Sequence, residues 1–499
     1  MKQYQFWFIV GSQFLYGTEV LDTVAKRAAE MAEKLSAVLP YPLVYTVTAK
    51  SSQEISETIK KANYDESCAG VITWCHTFSP SKMWINGLSA LQKPYCHLAT
   101  QYNREIPNKE IDMDFMNLNQ AAHGDREHGF IAARLRMPRK VIAGYWQDED
   151  VQKRISSWMK AAVGAAVSKE MKVMRFGDNM REVAGEVRFR AKAVRLVTEG
   201  DKVAVQAKLG WQVNTWAVGD LVKEMHGVSE EEIDTMMSEY ESRYVMKTEK
   251  IDHVRYQARE EIAIQRLLDR ERCKAFTNTF QDLYGMEQLP GLASQDLMSK
   301  GYGYGGEGDW KVALTAVMKA MGENENGAST FMEDYTYHLV KGQEYSLGAH
   351  MLEVCPSVAA GKPCIETHPL SIGMNEKDPA RLVFEGKAGD AIVVSLIDMG
   401  GRLRLICQDI HCVKPIMPMP NLPVARVMWQ AEPSLTTGVE CWITAGGAHH
   451  TVLSYDVTAE QMRDWAAMMD IEFVHITNET TVEKLEQDLF LADLAWKLK

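Results

Sequence analysis

Nowhere does the sequence approach the roughly 20 consecutive apolar residues that a membrane-spanning helix needs. It contains no low-complexity tract and no internal repeat, which argues against a disordered chain and against a solenoid. Its nine cysteines are scattered without a CxxC pair, and an odd number cannot all pair within one chain. Reduced thiols are therefore expected. Positive charge is in deficit, with 55 Lys and Arg against 67 Asp and Glu and a formal charge of -12. That balance argues against nucleic acid and anionic lipid as partners. One Lys and then a short apolar run at residues 6–10 make a poor secretion signal, so a cytoplasmic location is expected.

What is present is an ordinary globular composition, 46% apolar and 24% charged. At 499 residues the chain exceeds the roughly 250 to 300 at which one hydrophobic core stops growing, so two or three domains are expected. Short β-rich runs at 6–10, 43–47, 70–74, 94–98 and 141–145 alternate with helical patterns such as 19–36 and 52–62. This is the pattern of a doubly wound α/β domain, placed at 1–171. A second α/β domain is placed at 172–327, opening on a strand at 173–176. Within it, Ser229 and Glu232 form a capping box, and the charged run 259–272 reads as a solvated helix face. From 328 to 499 short strands separated by turns predict a β-rich, barrel-like domain. It closes on a helix capped by Thr458 and Gln461, with Met462, Trp465, Ala466 and Met469 as its buried stripe.

Gly301, Gly303 and Gly306 match the literal GxGxxG pattern, but a helix end rather than a strand precedes them, which argues against a dinucleotide site. The segment instead reads as a glycine-rich loop presenting one carboxylate, Glu307. Glu333 lies in an apolar and aromatic setting where an unpartnered charge would cost several kcal/mol, so it requires a cation, whether a metal or a structural salt-bridge partner. His350 falls in a strand-like segment with Leu352 and Val354 on the same face. His449 and His450 are adjacent, and on a strand at most one of them would face a given site. Two carboxylates and two imidazoles form a mixed ligand field suited to Mn, Fe, Co or Zn. Cys407, His411 and Cys412 lack a second ligand pair at zinc-ribbon spacing and read as core or surface residues.

Eight segments in order along the chain carry a resemblance: GSQFLYG (11–17), HTFSPSKMWINGL (76–88), DMDFMNLNQAAHG (112–124), RFGDNMREVA (175–184), GYGGEGDWK (303–311), FMEDYTYH (331–338), HMLEVCPS (350–357) and AGGAHHT (445–451). Together they closely resemble the L-arabinose isomerase family. The resemblance implies two Rossmann-like α/β domains and a β-rich third, similar to the fucose isomerase fold. It also implies a homo-oligomer, usually a hexamer, with active sites at subunit interfaces. One Mn2+ per subunit, or another divalent ion, is implied on Glu307, Glu333, His350 and His450, with His449 the alternative for the fourth position. Gln13, Leu15, Phe78, Gln120, His123, Met180, Phe280, Tyr335 and His449 are implied as substrate-binding residues. An Arg- and Lys-rich segment near 185–197 departs from the family pattern and reads as a surface hairpin.

The activity implied is conversion of L-arabinose to L-ribulose, and of D-galactose to D-tagatose, through a metal-stabilised cis-enediol in arabinose catabolism. Glu307 and Glu333 would share the proton transfers, and His449 or His123 would open the sugar ring. Two other readings fit the same residues less well: an aldolase using the same enediolate, and a sugar-binding module, which would call for export.

Overall fold

A computed structural model of the chain describes residues 2–178, 180, 187–189, 192–194, 200–322, 327–370 and 376–498. The chain divides into two compact units, Met1–Ala166 and Val167–Lys499.

In the first unit, strands β1 (Gln5–Gly11), β2 (Leu43–Ala49), β3 (Cys68–Cys75), β4 (Tyr95–Ala99) and β5 (Lys140–Ala143) form one wholly parallel sheet in the order β2-β1-β3-β4-β5. Strand β3 is buried along its full length, as expected of a central strand covered by helices on both faces. Phe6, Phe8 and Trp74 are wholly buried, and Trp158 from the helix Glu149–Lys169 packs on Phe6 with ring centroids 5.5 Å apart. The chain winds outward to β2 and then returns past β1 to β3. The carboxyl ends of β1 and β3 therefore flank the switch point of the sheet, where doubly wound folds leave a crevice.

The second unit opens with β6 (Lys172–Phe176), followed by the small antiparallel hairpin β7 (Val187–Phe189) and β8 (Lys192–Val194). Of the segment expected as a surface hairpin, only this antiparallel pairing is described; the rest of 185–197 lies outside the described residues. Strand β9 (Gln212–Trp216) follows, then the two-residue β10 (Val245–Met246), β11 (Ala275–Thr277) and β12 (Gly303–Gly305). A second parallel sheet runs β12-β11-β6-β9, again with a reversal of winding next to its first strand. The glycine-rich stretch expected as a loop is thus partly a strand, in register with Ala275–Thr277.

The charged run also differs from expectation. It lies on the helix Ile251–Glu271, and Arg259 does face outward to Glu230. Glu260 and Glu261, however, are completely buried. Glu261 is neutralised by Lys300 at 2.5 Å and accepts a hydrogen bond from Tyr240. Burial, reinforced by nearby Glu287, pushes the Glu260 carboxyl well above its usual range.

The remaining strands are β13 (Ser329–Val340), β14 (Gln343–Ala349), β15 (Cys364–Thr367), β16 (Ala380–Val383), β17 (Gly389–Asp398), β18 (Leu403–Val413), β19 (Arg426–Ala431), β20 (His450–Ser454) and β21 (Glu472–Ile476). Strands β10, β15 and β16 make a small separate sheet. Six strands in the order β17-β20-β13-β14-β19-β18 close into a barrel, because β17 pairs with β18 from Gly389↔Cys412 to Asp398↔Leu403. Strand β21 adds to β18 in parallel. The helix Ala459–Met468 carries the expected capping box, but the chain ends on a further helix, Val482–Lys497, that the sequence pattern did not separate. Among the described residues, no helix is long and apolar enough to cross a membrane.

Candidate metal centre at the barrel end

Strand pairing does most of the gathering. Glu333 on β13 is directly opposite His450 on β20, and its other neighbour is Ala349, the last residue of β14. Residues directly opposite on adjacent strands project from the same face, so the Glu333 and His450 side chains emerge together. His350 follows one residue later. Phe331, two residues before Glu333, presents its ring edge-on to both imidazoles, with centroids 4.7 Å from His350 and 5.2 Å from His450.

Glu307 comes from the other sheet, two residues beyond the carboxyl end of β12. Its backbone is left-handed, with φ 61, a conformation that costs a non-glycine residue about 1 to 2 kcal/mol. Two hydrogen bonds hold it there. Met180 N–H donates to the Glu307 carbonyl at 3.0 Å, and Gly308 N–H donates to the Asn278 carbonyl at 2.9 Å. The preceding Gly306 keeps the chain close to the cluster: a Cβ there would lie 3.0 Å from the His350 ring and 3.2 Å from Phe331, so either ring would have to shift by a few tenths of an ångström.

The result is a tight cluster. Ligand atoms of Glu307, His350 and His450 all lie within 4.8 Å of one another. Glu333 Oε2 is 3.9 Å from His350 Nε2, and no Lys or Arg pairs with Glu333 among the described residues. Glu307 Oε2 lies 3.6 Å from His449 Nε2 and 3.7 Å from His450 Nε2, too far for hydrogen bonds. Glu307 Oε2 and His450 Nε2 are buried without a hydrogen-bond partner among the described residues. Leaving such atoms unsatisfied costs roughly 1 to 3 kcal/mol each, and a cation between them would satisfy both. The residues present therefore fit a divalent metal with mixed carboxylate and imidazole ligands.

Two expectations about the histidines are corrected. Strand β14 stops at Ala349, so His350, Leu352 and Val354 do not continue it. The chain instead turns so that Glu353 accepts hydrogen bonds from His350 Nδ1 at 2.6 Å and from Leu352 N–H at 2.9 Å. Strand β20 begins at His450, leaving His449 just outside it. Alternation does not apply there, and both rings approach Glu307, with centroids 4.1 Å apart. They differ in burial: the His450 side chain is fully covered, whereas His449 is about one-third exposed.

Comparison with known proteins places this geometry. Residues 1–170 match the L-arabinose isomerase N-terminal domain, 172–324 the central domain and 328–472 the C-terminal domain. The L-arabinose isomerase 1 of Bacillus licheniformis is 52% identical over 100% of this chain and 99% of its own length. The L-arabinose isomerases of Bacillus subtilis and Thermotoga maritima are 50% and 49% identical, each over 100% of this chain and 99% of their own lengths. The chain belongs to the L-arabinose isomerase family. It is accordingly an enzyme of the isomerase class, an intramolecular oxidoreductase.

Behind the histidines of this family member stand residues that sequence reasoning missed. Glu353 is buried, and its other oxygen lies 3.1 Å from the Tyr304 hydroxyl, which is also 3.1 Å from Asn278 Oδ1. Asp309 Oδ2 accepts from His450 Nδ1 at 3.2 Å, and its other oxygen binds buried Lys311 at 2.7 Å. With each Nδ1–H committed to a carboxylate, each Nε2 lone pair points into the cluster. Burial opposes charge on His350, but Glu353 outweighs it and raises that imidazole. Burial lowers His450, with Asp309 opposing. Burial likewise opposes ionisation of Glu307 and Asp309, yet the surrounding histidines, and Lys311 for Asp309, hold both carboxyls below their usual range. The signal available in sequence was spacing: His350 with Glu353 three residues on, and Glu307-Gly-Asp309-Trp-Lys311.

The other expected site residues fall into two groups. Met180 and Phe280 follow the carboxyl ends of β6 and β11, Met180 bonded to Glu307 as described and Phe280 buried. Tyr335 is half-exposed; burial, then the charges of Glu333 and Glu307, raise its phenol. In the first unit, Gln13 donates to the Phe78 carbonyl at 3.3 Å, and Phe78 stacks on His123 with centroids 4.4 Å apart. Tyr16 bridges Phe78 N–H and the Gln120 side chain, while Leu15 is 82% exposed. These residues collect at the switch point of the first sheet. Cys407 and Cys412 are buried, and His411 faces solvent beside Asp390 at 2.7 Å, so the three do not converge.

Proposed function

We propose that this chain converts L-arabinose to L-ribulose, and D-galactose to D-tagatose, through a cis-enediol, in L-arabinose catabolism. The observation that carries the reading is the convergence of Glu307, His350 and His450, with Glu333 3.9 Å from His350 and two buried polar atoms left unpartnered where a cation would sit. These four would hold one divalent ion, proposed as Mn2+, per subunit. Such an ion, when bound, supplies Lewis-acid polarisation of the sugar's O1 and O2 and offsets the negative charge that develops there.

The protein's own groups account for the proton movements. Glu307 and Glu333 share them: one carboxylate removes the C2 proton and returns it to C1, and the other carries the proton between the two hydroxyl oxygens. His449, partly exposed beside Glu307, would open the sugar ring, with His123 as the second candidate. Phe280 and Tyr335 shape the pocket and limit water, and Met180 holds the Glu307 backbone.

We further propose that Gln13, Leu15, Phe78, Gln120 and His123 complete the site of a neighbouring chain in a homohexamer. Family membership and the outward position of Leu15 support this. Nine free cysteines, eight of them buried, suit a reducing cytoplasm.

The test is direct. Purified enzyme stripped with a chelator is expected to lose ketose formation from L-arabinose and to regain it with Mn2+, all five carbons being conserved in the product. Glu307→Gln and Glu333→Gln, each supplied with Mn2+, are expected to lose at least about 100-fold in kcat. Retention of more than about a tenth of the activity by both variants would overturn the proton-transfer roles. A comparison of kcat/KM on L-arabinose and D-galactose tests the second substrate.

A further inference from the structure

In the sequence Cys407 reads as a core or surface residue with no zinc-ribbon partner; the fold gives it other neighbours. Cys407 lies on β18 directly opposite His475 on the parallel strand β21, and Asp409 is two residues further along β18 on the same face. Ligand atoms of the three residues lie within 4.8 Å of one another, and His475 Nε2 is 3.0 Å from Asp409 Oδ1. The thiol is buried, the imidazole is mostly buried and the carboxylate is more than one-third exposed. The site is therefore floored by sulfur and open to water on its carboxylate side. None of these residues belongs to the cluster around Glu307.

We infer that Cys407, Asp409 and His475 form a second metal site, for a late first-row divalent cation of the zinc class. The ligand set is diagnostic of that class. Thiolate selects against Mg2+, Ca2+ and Mn2+, while Cys, His and carboxylate together suit Zn2+ or Co2+ with water in the fourth position. Tetrahedral zinc, with bonds of about 2.0 to 2.3 Å, sets its ligand atoms about 3.3 to 3.8 Å apart. Asp409 and His475 must separate slightly from 3.0 Å, and the Cys407 sulfur already lies within 4.8 Å of both.

Protons balance as follows. On binding, the Cys407 thiol proton passes to solvent, and the His475 Nε2 proton, now donated to Asp409, is exchanged onto Nδ1. That second change dislodges Arg463, whose guanidinium sits 3.3 Å from His475 Nδ1. Arg463 is exposed and stacked over Phe473 at 5.7 Å, so it is free to turn toward solvent.

The experiment is titration of the full-length enzyme with Co2+, followed by near-ultraviolet thiolate-to-cobalt charge-transfer absorption. The Glu307 cluster contains no sulfur and cannot give this band. A saturable band of one equivalent is expected, bleached by Zn2+, absent in Cys407→Ser, and at least about tenfold weaker in apparent affinity in His475→Gln. Wild-type activity on arabinose with Mn2+ should persist in both variants. Should Cys407→Ser fail to fold, His475→Gln, at the more accessible ligand, decides the matter alone. No band in the wild type at excess Co2+, or a band that survives Cys407→Ser or is unchanged in His475→Gln, overturns the assignment.

Discussion

Asp309 and Glu353 each sit one hydrogen bond behind a histidine of the Glu307 cluster. Their role is orientation: a carboxylate on Nδ1 fixes both the ring plane and the tautomer that leaves Nε2 free. Asp309→Asn and Glu353→Gln are each expected to weaken Mn2+ binding by about 10- to 100-fold, read as free Mn2+ by electron paramagnetic resonance on titration. Unchanged affinity in both would mean that packing alone positions the rings. Neither residue drew notice in the sequence, because a carboxylate near a histidine is common and only contact distinguishes a partner from a neighbour. Glu307 and Glu333 were legible as carboxylates in unusual settings. Their meeting was not, since they stand 26 positions apart in the chain and are carried by different sheets.

Elements impose the next constraint. Strand β14 must pass close to β19, and it does so at Gly348, where a Cβ would lie 2.1 Å from the Trp429 ring and 2.8 Å from Met332 Sδ. Trp429 is fully buried and cannot retreat. Gly348→Ala is therefore expected to destabilise by about 1 to 3 kcal/mol, measured as a lower urea midpoint at unchanged slope. A wild-type midpoint would show that the barrel relaxes there freely. Because Gly348 is two residues from His350, the same close approach sets where the histidine emerges. Strand and helix types were largely legible from alternation, helical spacing and capping boxes. Elsewhere that reading failed. Strand β14 ends at Ala349, after which Glu353 takes the His350 Nδ1–H and the Leu352 N–H, and β20 begins only at His450. Glu260 and Glu261 were read as solvated because a charged residue's burial depends on what packs over it.

At the scale of the whole molecule, the first unit carries histidines whose state depends on folding. Burial, then the Arg27 charge, push His76 down to about 3, and Arg27 donates to its Nε2 at 3.1 Å. The unfolded chain would take up that proton below about 6.5. Stability from His76 is thus complete above that pH and falls as pH drops toward 3, by up to ~1.4 kcal/mol per unit. His97, pushed down to about 4 by burial, acts in the same direction. Asp125, raised to about 7 by burial, acts in the opposite one, stabilising more as pH falls. Urea unfolding at pH 7 and pH 5 should show a loss of stability that shrinks by up to ~2 kcal/mol in His76→Gln. An identical difference in both proteins would rule out a buried neutral His76.

The sequence by itself determined composition class, the succession of α/β, α/β and β-rich segments, and the residue types able to bind a cation, because these depend on local pattern and on side-chain chemistry. Family resemblance rested on long ordered motifs, which the same local information contains. Tertiary structure decided which side chains share a face, which carboxylates are buried with partners, and that the barrel closes through β17 and β18. It also set Cys407 beside His475 rather than Cys412. Those outcomes follow from register and strand order, in which one residue of slip reverses every side chain. Register is fixed by packing across the whole sheet, so no window of sequence contains it.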